Sequence, residues 1–510
     1  MVSDSTRPTA PRGTPLAALA EWLGAELPAA ATGGDPGLEI TGITLSSQRV
    51  RAGDLYAALP GARVHGIEFA QDAVASGAVA VLTDQTGAER SAVDVPVLVV
   101  PQPRAVLGRL AAHVYGDPAA AMRMIGVTGT QGKTTTTRLL EGGLERAGVP
   151  GAVIGTVGTR VGGEDVRTTL TTPEAPDLHG LFAMMLERGV RACAMEVSSH
   201  ALVMGRVDGV RFDVAVFLNL GRDHLDFHDD VEDYFQAKAS LFTPERARVA
   251  LVNLDDAHGR RLAATVTIPV RTFSVAGGDA GAHADWRVAD VTLRADGSSF
   301  TVIAPDGTRI PAGCPLPGDF NVANTLAAVA AAGEAGLDAA AVATGIAAGG
   351  GVPGRLERID AGQDFVVVVD YAHKPDAVEA AISTLRPLTE GRVLVVLGAG
   401  GDRDPGKRPI MAGIAARLAD LVVVTDDNPR TEDPAAIRAA MLAGVEPGGG
   451  DVLEIGDRRL AIRAALRSAA PGDIVLVAGK GHESGQEIDG VVHPFDDREV
   501  VREEVRACLR

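Results

Sequence analysis

A glycine-rich segment between a strand-like run and a helix-like run has the residue types needed to bind phosphate. Residues 124–140 read MIGVTGTQGKTTTTRLL. Gly129 and Gly132 would let backbone N–H groups point at phosphate oxygens, and Lys133 would supply a positive charge. Thr134 would offer its hydroxyl to Mg²⁺ at the positive end of the helix. The segment therefore predicts a nucleotide-binding loop.

One position departs from the usual spacing of such loops. The strict pattern places its first glycine at position 127, where this chain has Val127, and Gly126 stands one residue earlier. A purely structural glycine turn is the alternative interpretation. The strand before the loop and the helix after it favour nucleotide binding.

Two further apolar runs end in polar clusters that suit metal and phosphate chemistry. The run ACAMEVSSHAL places Glu196 at a strand end, and VAVFLNLGRDHLDFH places Asn219, Arg222, Asp223 and His224 at another. The Glu and His side chains could reach a Mg²⁺ that bridges ATP phosphates, and the arginine could neutralise transferred charge. Each residue alone could equally be a helix cap or an ion-pair partner. Their shared position at strand ends favours a functional role.

Lys238 stands on the apolar side of a predicted helix, in DYFQAKASLF, four residues from both Tyr234 and Phe242. Lysine is rarely buried unless it is paired or modified, because removing an ammonium from water is costly. One interpretation is a lysine whose ammonium extends to water. The other is a lysine of lowered pKa that reacts with CO₂, giving a carbamate that can bind Mg²⁺.

The elements that must position these residues are those of an α/β protein. Hydrophobic residues make up 46% of the chain and aromatic residues only 4%, which is typical of parallel sheets covered by helices. A chain of 510 residues exceeds the size of one core, so several domains are expected. We predict three, at residues 1–102, 103–350 and 351–510, with residues 1–14 as a disordered tail.

The C-terminal part repeats one pattern, a Val-rich strand followed by a polar or glycine-rich turn and a helix. The predicted strands are Val366 to Val369, Val393 to Leu397, Leu421 to Val424 and Ile474 to Val477. They are followed by Asp370, GAGGDRD, TDDNPR and GKGHE. Since open parallel sheets bind ligands beyond the carboxyl ends of their strands, we expect these turns to meet at one crevice.

Charge and composition exclude several classes of function. The net charge of −18 disfavours general binding to nucleic acid or to an anionic membrane. Cys193, Cys314 and Cys508 lack metal-ligand spacing and fit a reducing compartment. The N-terminus has no apolar targeting core, and no run approaches the roughly 18 apolar residues of a membrane span. We expect a cytoplasmic protein that is monomeric and binds neither nucleic acid nor membrane.

Several motifs, taken together and in order, resemble the Mur ligases of the MurE type. They are GTQGKTTT, TTPEAP, MEVSSHAL, NLGRDHLDFH, YFQAKASLF, LPGDFNVANTLAA, GRLE, DYAHKPDA, GAGGDRDPGKRP, DNPRTEDP and GKGHE. The resemblance spans about Leu45 to Asp497. It implies a small N-terminal α/β domain that holds a UDP-linked substrate, a central P-loop ATPase-like domain with a parallel or mixed sheet, and a C-terminal Rossmann-like α/β domain that brings an amino acid.

The resemblance also implies residues for ATP and Mg²⁺. The ATP-binding set is Gly129, Thr130, Gln131, Gly132, Lys133, Thr134, Thr135, Asn321, Arg355 and Asp370. The metal-binding set is Thr134, Glu196, His224 and Lys238, the last as N6-carboxylysine. The catalytic set is Lys133, Glu196, His224 and Lys238.

For the UDP-N-acetylmuramoyl dipeptide, the matching residues are Ser47, Thr171, Thr172, Ser198 and Arg206. Two positions depart from the family pattern. An Asp-Ser-Arg near the uridine pocket is here Ser46, Ser47, Gln48, and a polar position between the serines and the arginine is Met204.

For the amino acid, the matching residues are Arg403, Asp427, Asn428, Pro429, Arg430, Gly479 and Glu483. A guanidinium reads a carboxylate through two parallel hydrogen bonds. Arg430 therefore suits diaminopimelate, which carries a distal carboxylate that lysine lacks. The same turn would also cap the helix that follows it, which does not exclude the role.

The resemblance implies an ADP-forming ligase that adds diaminopimelate, expected as the meso isomer, to UDP-N-acetylmuramoyl-L-alanyl-D-glutamate through an acyl phosphate. The alternatives are the same ligase adding L-lysine and a folylpolyglutamate-synthetase-like ligase. The residues before the phosphate loop leave room for a UDP-binding domain and disfavour the latter. A regulatory protein without catalysis and a transport or switch ATPase are the remaining alternatives.

Overall fold

The computed structural model describes residues 6–25, 37–221, 223–224, 227–277, 279–294 and 296–508. They divide into two compact units. The first holds the described residues through Arg287, together with Ile303–Thr308 and Leu326–Gly345; the second holds Val288–Val302, Arg309–Thr325 and the described residues from Ile346 onward. Both are built from helices packed on sheets, so the α/β prediction is confirmed. Among the described helices, none is long and apolar enough to cross a membrane.

The N-terminal part of the first unit contains a four-stranded parallel sheet in the order β3-β4-β5-β6. Its elements are β1 (Thr14–Pro15), α1 (Leu16–Leu23), β2 (Glu39–Ile40), β3 (Gly42–Thr44), β4 (Asp54–Ala57), α2 (Ala70–Ala75), β5 (Ala78–Thr83), α3 (Gln85–Glu89), β6 (Val97–Val99) and α4 (Pro103–Val114). Leu107 and Leu110 of α4 are buried in the same core as the sheet residues Leu55 and Leu82.

Residues 6–14, which the sequence predicts to be part of a disordered tail, form specific contacts in the structure. Residues 1–5 lie outside the described part. Arg7 is buried, and its guanidinium donates to Asp54 Oδ2 at 2.6 Å and to the carbonyl of Ile43 at 3.2 Å. The backbone N–H of Thr9 donates to the Glu187 carboxylate at 2.8 Å. Because these partners are far away in sequence, local composition gives no sign of them.

The central part of the first unit has a sheet in the order β10-β9-β8-β11-β7-β12-β13-β14. Its elements are β7 (Arg123–Thr128), α5 (Lys133–Arg146), β8 (Gly151–Ile154), β9 (Thr159–Val161), β10 (Glu164–Val166), α6 (Ala175–Glu187), β11 (Ala192–Glu196), α7 (Ser199–Val203), β12 (Phe212–Phe217), α8 (Val231–Ala239), β13 (Ala247–Asn253), α9 (Ala257–Thr265), β14 (Val270–Ser274) and α10 (Asp279–Ala282). Strand β7 lies between parallel strands β11 and β12. Its register pairs Val127 with Glu196 and Thr128 with Phe217, so the segments after all three strands leave the same edge.

Five more elements complete this stretch of the chain. They are β15 (Trp286–Arg294), β16 (Gly297–Ile303), β17 (Arg309–Cys314), α11 (Asp319–Glu334) and α12 (Ala339–Ala347). Strand β15 starts beside β14, where Phe273 pairs with Trp286. Beyond Arg287, β15 belongs to the second unit.

The C-terminal part of the second unit has a six-stranded sheet in the order β18-β19-β23-β20-β21-β22. Its elements are β18 (Glu357–Arg358), β19 (Val366–Asp370), α13 (Pro375–Leu385), β20 (Val393–Ala399), α14 (Lys407–Leu418), β21 (Leu421–Asp426), α15 (Pro434–Leu442), β22 (Asp451–Glu454), α16 (Arg458–Ser468), β23 (Ile474–Ala478), β24 (Gly485–Ile488), β25 (Val491–Pro494) and α17 (Asp497–Cys508). The four predicted Val-rich strands are confirmed as β19, β20, β21 and β23, which are parallel.

A fully buried ion pair supports the carboxyl ends of two of these strands. Arg458 binds Asp497 at 2.7 Å with both side chains 0% exposed, and its guanidinium also donates to the carbonyls of Asp426 and Ala478 at 3.4 and 3.0 Å. These carbonyls end β21 and β23. The pair therefore fixes the strand ends from which the following turns depart.

Removing one member of this pair is expected to cost stability, because the other charge would stay buried without its partner. For Asp497→Ala we expect a loss of about 3–5 kcal/mol. The exposed pair between Arg417 and Glu379 offers a control, for which Arg417→Ala should cost no more than about 1 kcal/mol. Hydrogen-exchange mass spectrometry on peptides covering β21 and β23 would measure both losses. Equal protection in the two variants would contradict the role of the buried pair.

Candidate active site

The phosphate loop of residues 129–132 connects β7 to α5, as predicted. Gly129 and Gly132 have φ values of 155° and 86°, and α5 begins at Lys133 directly after them. A Cβ on Gly129 would lie 3.0 Å from Leu218 Cβ, so the close passage of this backbone requires glycine. The loop thus presents backbone and helix N-terminus in the arrangement that binds phosphate.

Asn219 fixes the shape of this loop. Its side-chain oxygen accepts hydrogen bonds from the backbone N–H groups of Thr130 at 3.1 Å and Gln131 at 2.9 Å, and its amide nitrogen donates to the Gln131 carbonyl at 3.2 Å. The sequence placed Asn219 in a polar cluster after β12 but did not predict this contact. Only the neighbouring position of β7 and β12 in the sheet brings the two segments together.

Two lysine side chains converge on one carbonyl of the loop. Lys133 Nζ donates to the Gly129 oxygen at 2.7 Å, and Lys238 Nζ donates to the same oxygen at 3.0 Å. Lys238 is 1% exposed, so the interpretation in which its ammonium extends to water is wrong. Burial, and next the nearby Lys133 charge, lower the pKa of Lys238 well below its ordinary value. Compared with an exposed lysine, the charged form of this amine is therefore disfavoured.

The phenol ring of Tyr234 forms part of the same pocket. Lys238 Nζ lies 4.5 Å from the ring centroid, and the Tyr234 hydroxyl is 3.2 Å from Thr130 Oγ1. Burial raises the pKa of Tyr234 to about 12, so its hydroxyl stays protonated at neutral pH. The aromatic face helps to keep water away from the amine.

Glu196 and Thr134 bring two oxygens together at the end of β11. Thr134 Oγ1 donates to Glu196 Oε1 at 2.9 Å, and Thr156 donates to the same carboxylate from its backbone N–H at 2.8 Å and from its hydroxyl at 3.1 Å. The Thr156 hydroxyl also lies 3.2 Å from that of Thr171. Paired hydroxyl and carboxylate oxygens suit Mg²⁺, which takes few protein ligands and retains water or phosphate oxygens.

His224 lies in a group of aromatic rings. Its backbone has φ 54°, and its ring centroid is 4.9 Å from that of His200 and 6.0 Å from that of Tyr234. Asp223 Oδ2 is 3.4 Å from His224 Nε2. Because Tyr234 also contacts Lys238, His224 belongs to the surroundings of the phosphate loop. Arg222 lies outside the described residues.

Four of the five residues assigned to the muramoyl dipeptide surround the end of β11. The Thr172 hydroxyl donates to the Glu196 carbonyl at 2.8 Å and accepts from the Ser198 N–H at 3.3 Å. Arg206 donates to the Thr172 carbonyl at 3.4 Å and pairs with Glu174 at 2.8 Å. The Thr171 hydroxyl lies 3.2 Å from the hydroxyl of Thr156, which in turn donates to the Glu196 carboxylate.

Ser47 lies in the N-terminal part of the first unit, after β3, rather than in this cluster. It begins the 3₁₀ turn Ser47–Arg49, and Arg49 at the end of the turn pairs with Asp177 of α6 at 2.8 Å. The turn is therefore held against the central part of the same unit. Met204, which replaces a polar residue of the family pattern, has its sulfur 3.3 Å from Arg206 Nη2.

In the second unit, Arg355 and Asp370 lie together at the end of β19. Asp370 accepts hydrogen bonds from the N–H groups of Leu356 at 2.7 Å and Ala372 at 2.8 Å. Burial raises the pKa of Asp370, and the Arg355 charge opposes that shift. The Arg355 guanidinium lies 4.7 Å from the Tyr371 ring centroid.

Asn321 lies in the first turn of α11 in the second unit. Its amide nitrogen donates to the Pro317 carbonyl at 2.7 Å, and its oxygen accepts from Asn324 at 3.1 Å. A contact of Asn321 with adenine stays a prediction.

The residues assigned to the amino acid meet at the carboxyl ends of β20, β21 and β23. The Gly401 N–H donates to the Asn428 carbonyl at 2.9 Å, which joins the turn after β20 to the turn after β21. Gly479 has φ 117°, and a Cβ there would lie 2.5 Å from Asp427 Oδ2. Glycine is thus needed for the approach of that carboxylate. These turns therefore meet at the strand ends, and a ligand-binding crevice there stays a prediction.

The two arginines of this set flank Gly400. A Cβ on Gly400 would lie 3.0 Å from Arg430 Nη1 and 3.9 Å from Arg403 Cγ. Arg430 donates to the Gly401 carbonyl at 2.7 Å and pairs with Glu487 at 3.2 Å. Arg403 is exposed. Both arginine side chains thus pass beside Gly400, and the guanidinium of Arg430 is held there by its contacts with Gly401 and Glu487.

Three family models match the chain in consecutive segments. They are "Mur ligase family, catalytic domain" at residues 39–115, "Mur ligase middle domain" at residues 127–332 and "Mur ligase, glutamate ligase domain" at residues 354–481. The second and third segments fall within the predicted domains 103–350 and 351–510, whereas the first begins in the predicted domain 1–102 and extends past its boundary to residue 115. The exact boundaries of those domains remain a prediction.

Individual proteins of known name are similar over nearly the whole length. The chain is 56% identical over 505 residues to a Streptomyces coelicolor protein named UDP-N-acetylmuramoyl-L-alanyl-D-glutamate--2,6-diaminopimelate ligase, covering 98% of each chain. A solved structure of a ligase with the same name is 36% identical, with a TM-score of 0.67, over 92% of this chain and 96% of that one. MurF ligase from Thermotoga maritima in complex with ADP shares the fold at 21% identity and a TM-score of 0.59, over 91% and 96% of the two chains.

Proposed function

Because this chain belongs to the Mur ligase family, we propose that it is an ATP-dependent ligase that joins diaminopimelate to UDP-N-acetylmuramoyl-L-alanyl-D-glutamate. The substrates are those in the names of its relatives at 56% and 36% identity. The three-domain division, with UDP substrate, ATP and amino acid assigned in chain order, is part of this proposal.

The observation that carries the ATP chemistry is the convergence of Lys133 and Lys238 on the Gly129 carbonyl, at 2.7 and 3.0 Å. A loop that binds only phosphate needs one lysine. A second, buried amine of lowered pKa is suited to a different task, the capture of CO₂ as a carbamate. The carbamate would place a negative charge beside the Lys133 ammonium, and the two opposite charges would attract each other.

Thr134, Glu196, His224 and carbamylated Lys238 are the residues that would hold Mg²⁺. The hydroxyl and carboxylate oxygens of Thr134 and Glu196, 2.9 Å apart, fit the preference of this ion for oxygen. When bound, Mg²⁺ supplies positive charge that neutralises phosphate oxygens.

The proposed reaction needs no covalent enzyme intermediate. The D-glutamyl side-chain carboxylate attacks the γ-phosphorus of ATP, and the bond to the β-γ bridging oxygen breaks, which gives an acyl phosphate and ADP. The amine of diaminopimelate then attacks the acyl carbon, and phosphate leaves as the amide forms. Lys133 supplies positive charge to the phosphates, and binding positions the amine.

The choice of amino acid is assigned to the turn of Asp427, Asn428, Pro429 and Arg430, with Arg403, Gly479 and Glu483. A guanidinium has five N–H donors, so the contacts of Arg430 with Gly401 and Glu487 do not exhaust it. The remaining donors suit the distal carboxylate of diaminopimelate. L-Lysine lacks that carboxylate and would leave them without an acceptor.

The direct test measures phosphate release by the purified protein with ATP, Mg²⁺ and UDP-N-acetylmuramoyl-L-alanyl-D-glutamate. Separate reactions contain meso-diaminopimelate, LL-diaminopimelate and L-lysine, and mass spectrometry identifies the product. We expect an amide product with a diaminopimelate isomer, most rapidly with meso, and little with L-lysine.

The other outcomes distinguish the alternatives. Preference for L-lysine would retain the ligase and overturn the role of Arg430 in specificity. Phosphate release that is independent of any amino acid would favour a simple ATPase. Product with a folate and glutamate, and none with the muramoyl substrate, would favour the folylpolyglutamate-type reaction.

A further inference from the structure

Lys480 is a buried lysine to which the proposed reaction gives no task. It follows β23 by two residues, and its side chain is 0% exposed. Its Nζ donates to Asn428 Oδ1 at 3.0 Å, to Glu483 Oε2 at 3.2 Å and to the Gly485 carbonyl at 2.6 Å. An ammonium has three donors, and these three acceptors account for all of them. Lys480 therefore does not bind the substrate with its own N–H groups.

The contacts of Lys480 determine which way the Asn428 amide faces. Asn428 Oδ1 accepts from Lys480 and also from the backbone N–H of Glu487 at 3.0 Å. The amide nitrogen then donates to Glu483 Oε2 at 2.8 Å. A flipped amide would place its NH₂ group against two other donors and its oxygen against a carboxylate, which is unfavourable. The ammonium thus selects one orientation of Asn428.

Every acceptor of Lys480 lies in a segment that borders the amino-acid site. Asn428 belongs to the turn after β21, Glu483 follows β23, and Gly485 begins the hairpin of β24 and β25. The strands themselves have separate support, because Arg458 and Asp497 hold the ends of β21 and β23. A purely structural lysine is therefore not required to keep the strand ends together.

We propose that Lys480 is the positioning residue of the amino-acid site, where it orients Asn428 and Glu483 for diaminopimelate without touching it. This inference rests on the proposed function. If Lys480 has this role, loss of its ammonium should selectively weaken binding of the amino acid, because the side chains of Asn428 and Glu483 can then adopt other orientations. Loss of ATP or muramoyl-substrate binding is not expected.

The test is Lys480→Met, which keeps the length of the side chain and removes the ammonium. We expect KM for diaminopimelate to rise about tenfold or more, as for other displaced positioning groups, with KM for ATP and for the muramoyl substrate within about twofold of wild type. In thermal melts, the shift caused by diaminopimelate should be lost, whereas the shift caused by a non-hydrolysable ATP analogue should remain.

A matched control disturbs the same sheet at its opposite end. Arg392 pairs with Asp473 at 2.8 Å near the amino ends of β20 and β23. Arg392→Gln should lower the melting temperature and leave KM for diaminopimelate unchanged. If Lys480→Met behaves like Arg392→Gln, or raises all three KM values together, Lys480 is structural and the proposal is overturned.

A second variant covers the case in which Lys480→Met does not fold. Lys480→Gln retains a neutral donor and should raise KM for diaminopimelate by a smaller factor; an unchanged KM would overturn the proposal. If the wild-type protein itself forms no product with diaminopimelate, the proposed function fails, and the role of Lys480 fails with it. If the wild type is active and the Lys480 variants have an unchanged KM for diaminopimelate, only the role of Lys480 is contradicted.

Discussion

Replacing Lys238 with alanine is expected to lower kcat by about 10²–10³-fold, comparable to the loss of one preorganised electrostatic group. The amine is buried, lies 3.0 Å from the Gly129 carbonyl and shares that carbonyl with Lys133. Its lowered pKa makes the neutral form available, and only the neutral form reacts with CO₂. Alanine can neither form the carbamate nor replace its two oxygens beside the phosphate loop.

Added short-chain carboxylic acids should restore part of the activity of Lys238→Ala, because a free carboxylate can occupy the space of the missing carbamate. Lys133→Ala is the matched control, since Lys133 contacts the same carbonyl but acts as a cation. Its activity should fall as well, without rescue by acids. Full activity of unsupplemented Lys238→Ala would sink the carbamate hypothesis, and equal rescue of both variants would show that the acids act elsewhere.

The carbamate itself can be followed in the wild-type protein by ¹³C NMR after equilibration with ¹³CO₂. The pKa of Lys238 is depressed, so its amine is protonated only below that lowered pKa. The labelled signal should therefore persist at pH values well below the ordinary pKa of lysine and decline as pH falls through the lowered value. A signal that is absent in Lys238→Ala would identify the site.

The sequence predicted the parts of the fold that depend on local pattern. Each Val-rich run became a buried parallel strand, and the turns after β20, β21 and β23 meet because parallel strands end at the same edge. Lys238 was found because its position in the helical repeat placed a charge among apolar residues. The edge strand Asp451–Glu454 was missed, since its side chains are mostly exposed and its residues lack the Val-rich signal.

The contacts that position the site could not be read from local pattern. Asn219 shapes the phosphate loop across 88 residues of sequence, and Lys480 reaches Asn428 across 52. Arg7 forms a buried pair with Asp54 although its neighbours have the composition of a disordered tail. Such pairs depend on the order of strands in the sheet and the path of the chain, neither of which a single segment encodes. The motifs predicted which types of residue stand at the site, and the tertiary structure shows which residues contact one another.

Arg430→Met is expected to lower kcat/KM for diaminopimelate by about 10²-fold or more, because two hydrogen bonds to a charged group contribute a net value of about 1.5 kcal/mol or more each. Arg430 has φ 54°, an unusual backbone for a non-glycine residue, and the hairpin holds it there through Glu487 O and Asp489 N at 3.0 and 2.7 Å. The backbone strain is consistent with a side chain that must point in one direction.

The measurement compares kcat/KM for meso-diaminopimelate and L-lysine in the wild type, Arg430→Lys and Arg430→Met. In Arg430→Lys the new side chain retains the positive charge but lacks the planar guanidinium with its paired donors. This variant should therefore recover only part of the loss. The partly buried Arg463, which pairs with Glu504 on α17, provides the control Arg463→Met, for which both values should match the wild type. An equal loss for both amino acids in Arg430→Met would mean that Arg430 does not read the distal carboxylate.

Glu487 gives the sharpest form of this test, because its carboxylate is 3.2 Å from Arg430 Nε and competes with any incoming carboxylate. Glu487→Gln removes the competing charge and should lower KM for diaminopimelate severalfold, with little effect on L-lysine. The gain should vanish when Arg430→Met is already present, since no guanidinium remains to be released. A gain that survives in the double variant would assign the effect of Glu487 to general repulsion of the substrate rather than to its pairing with Arg430.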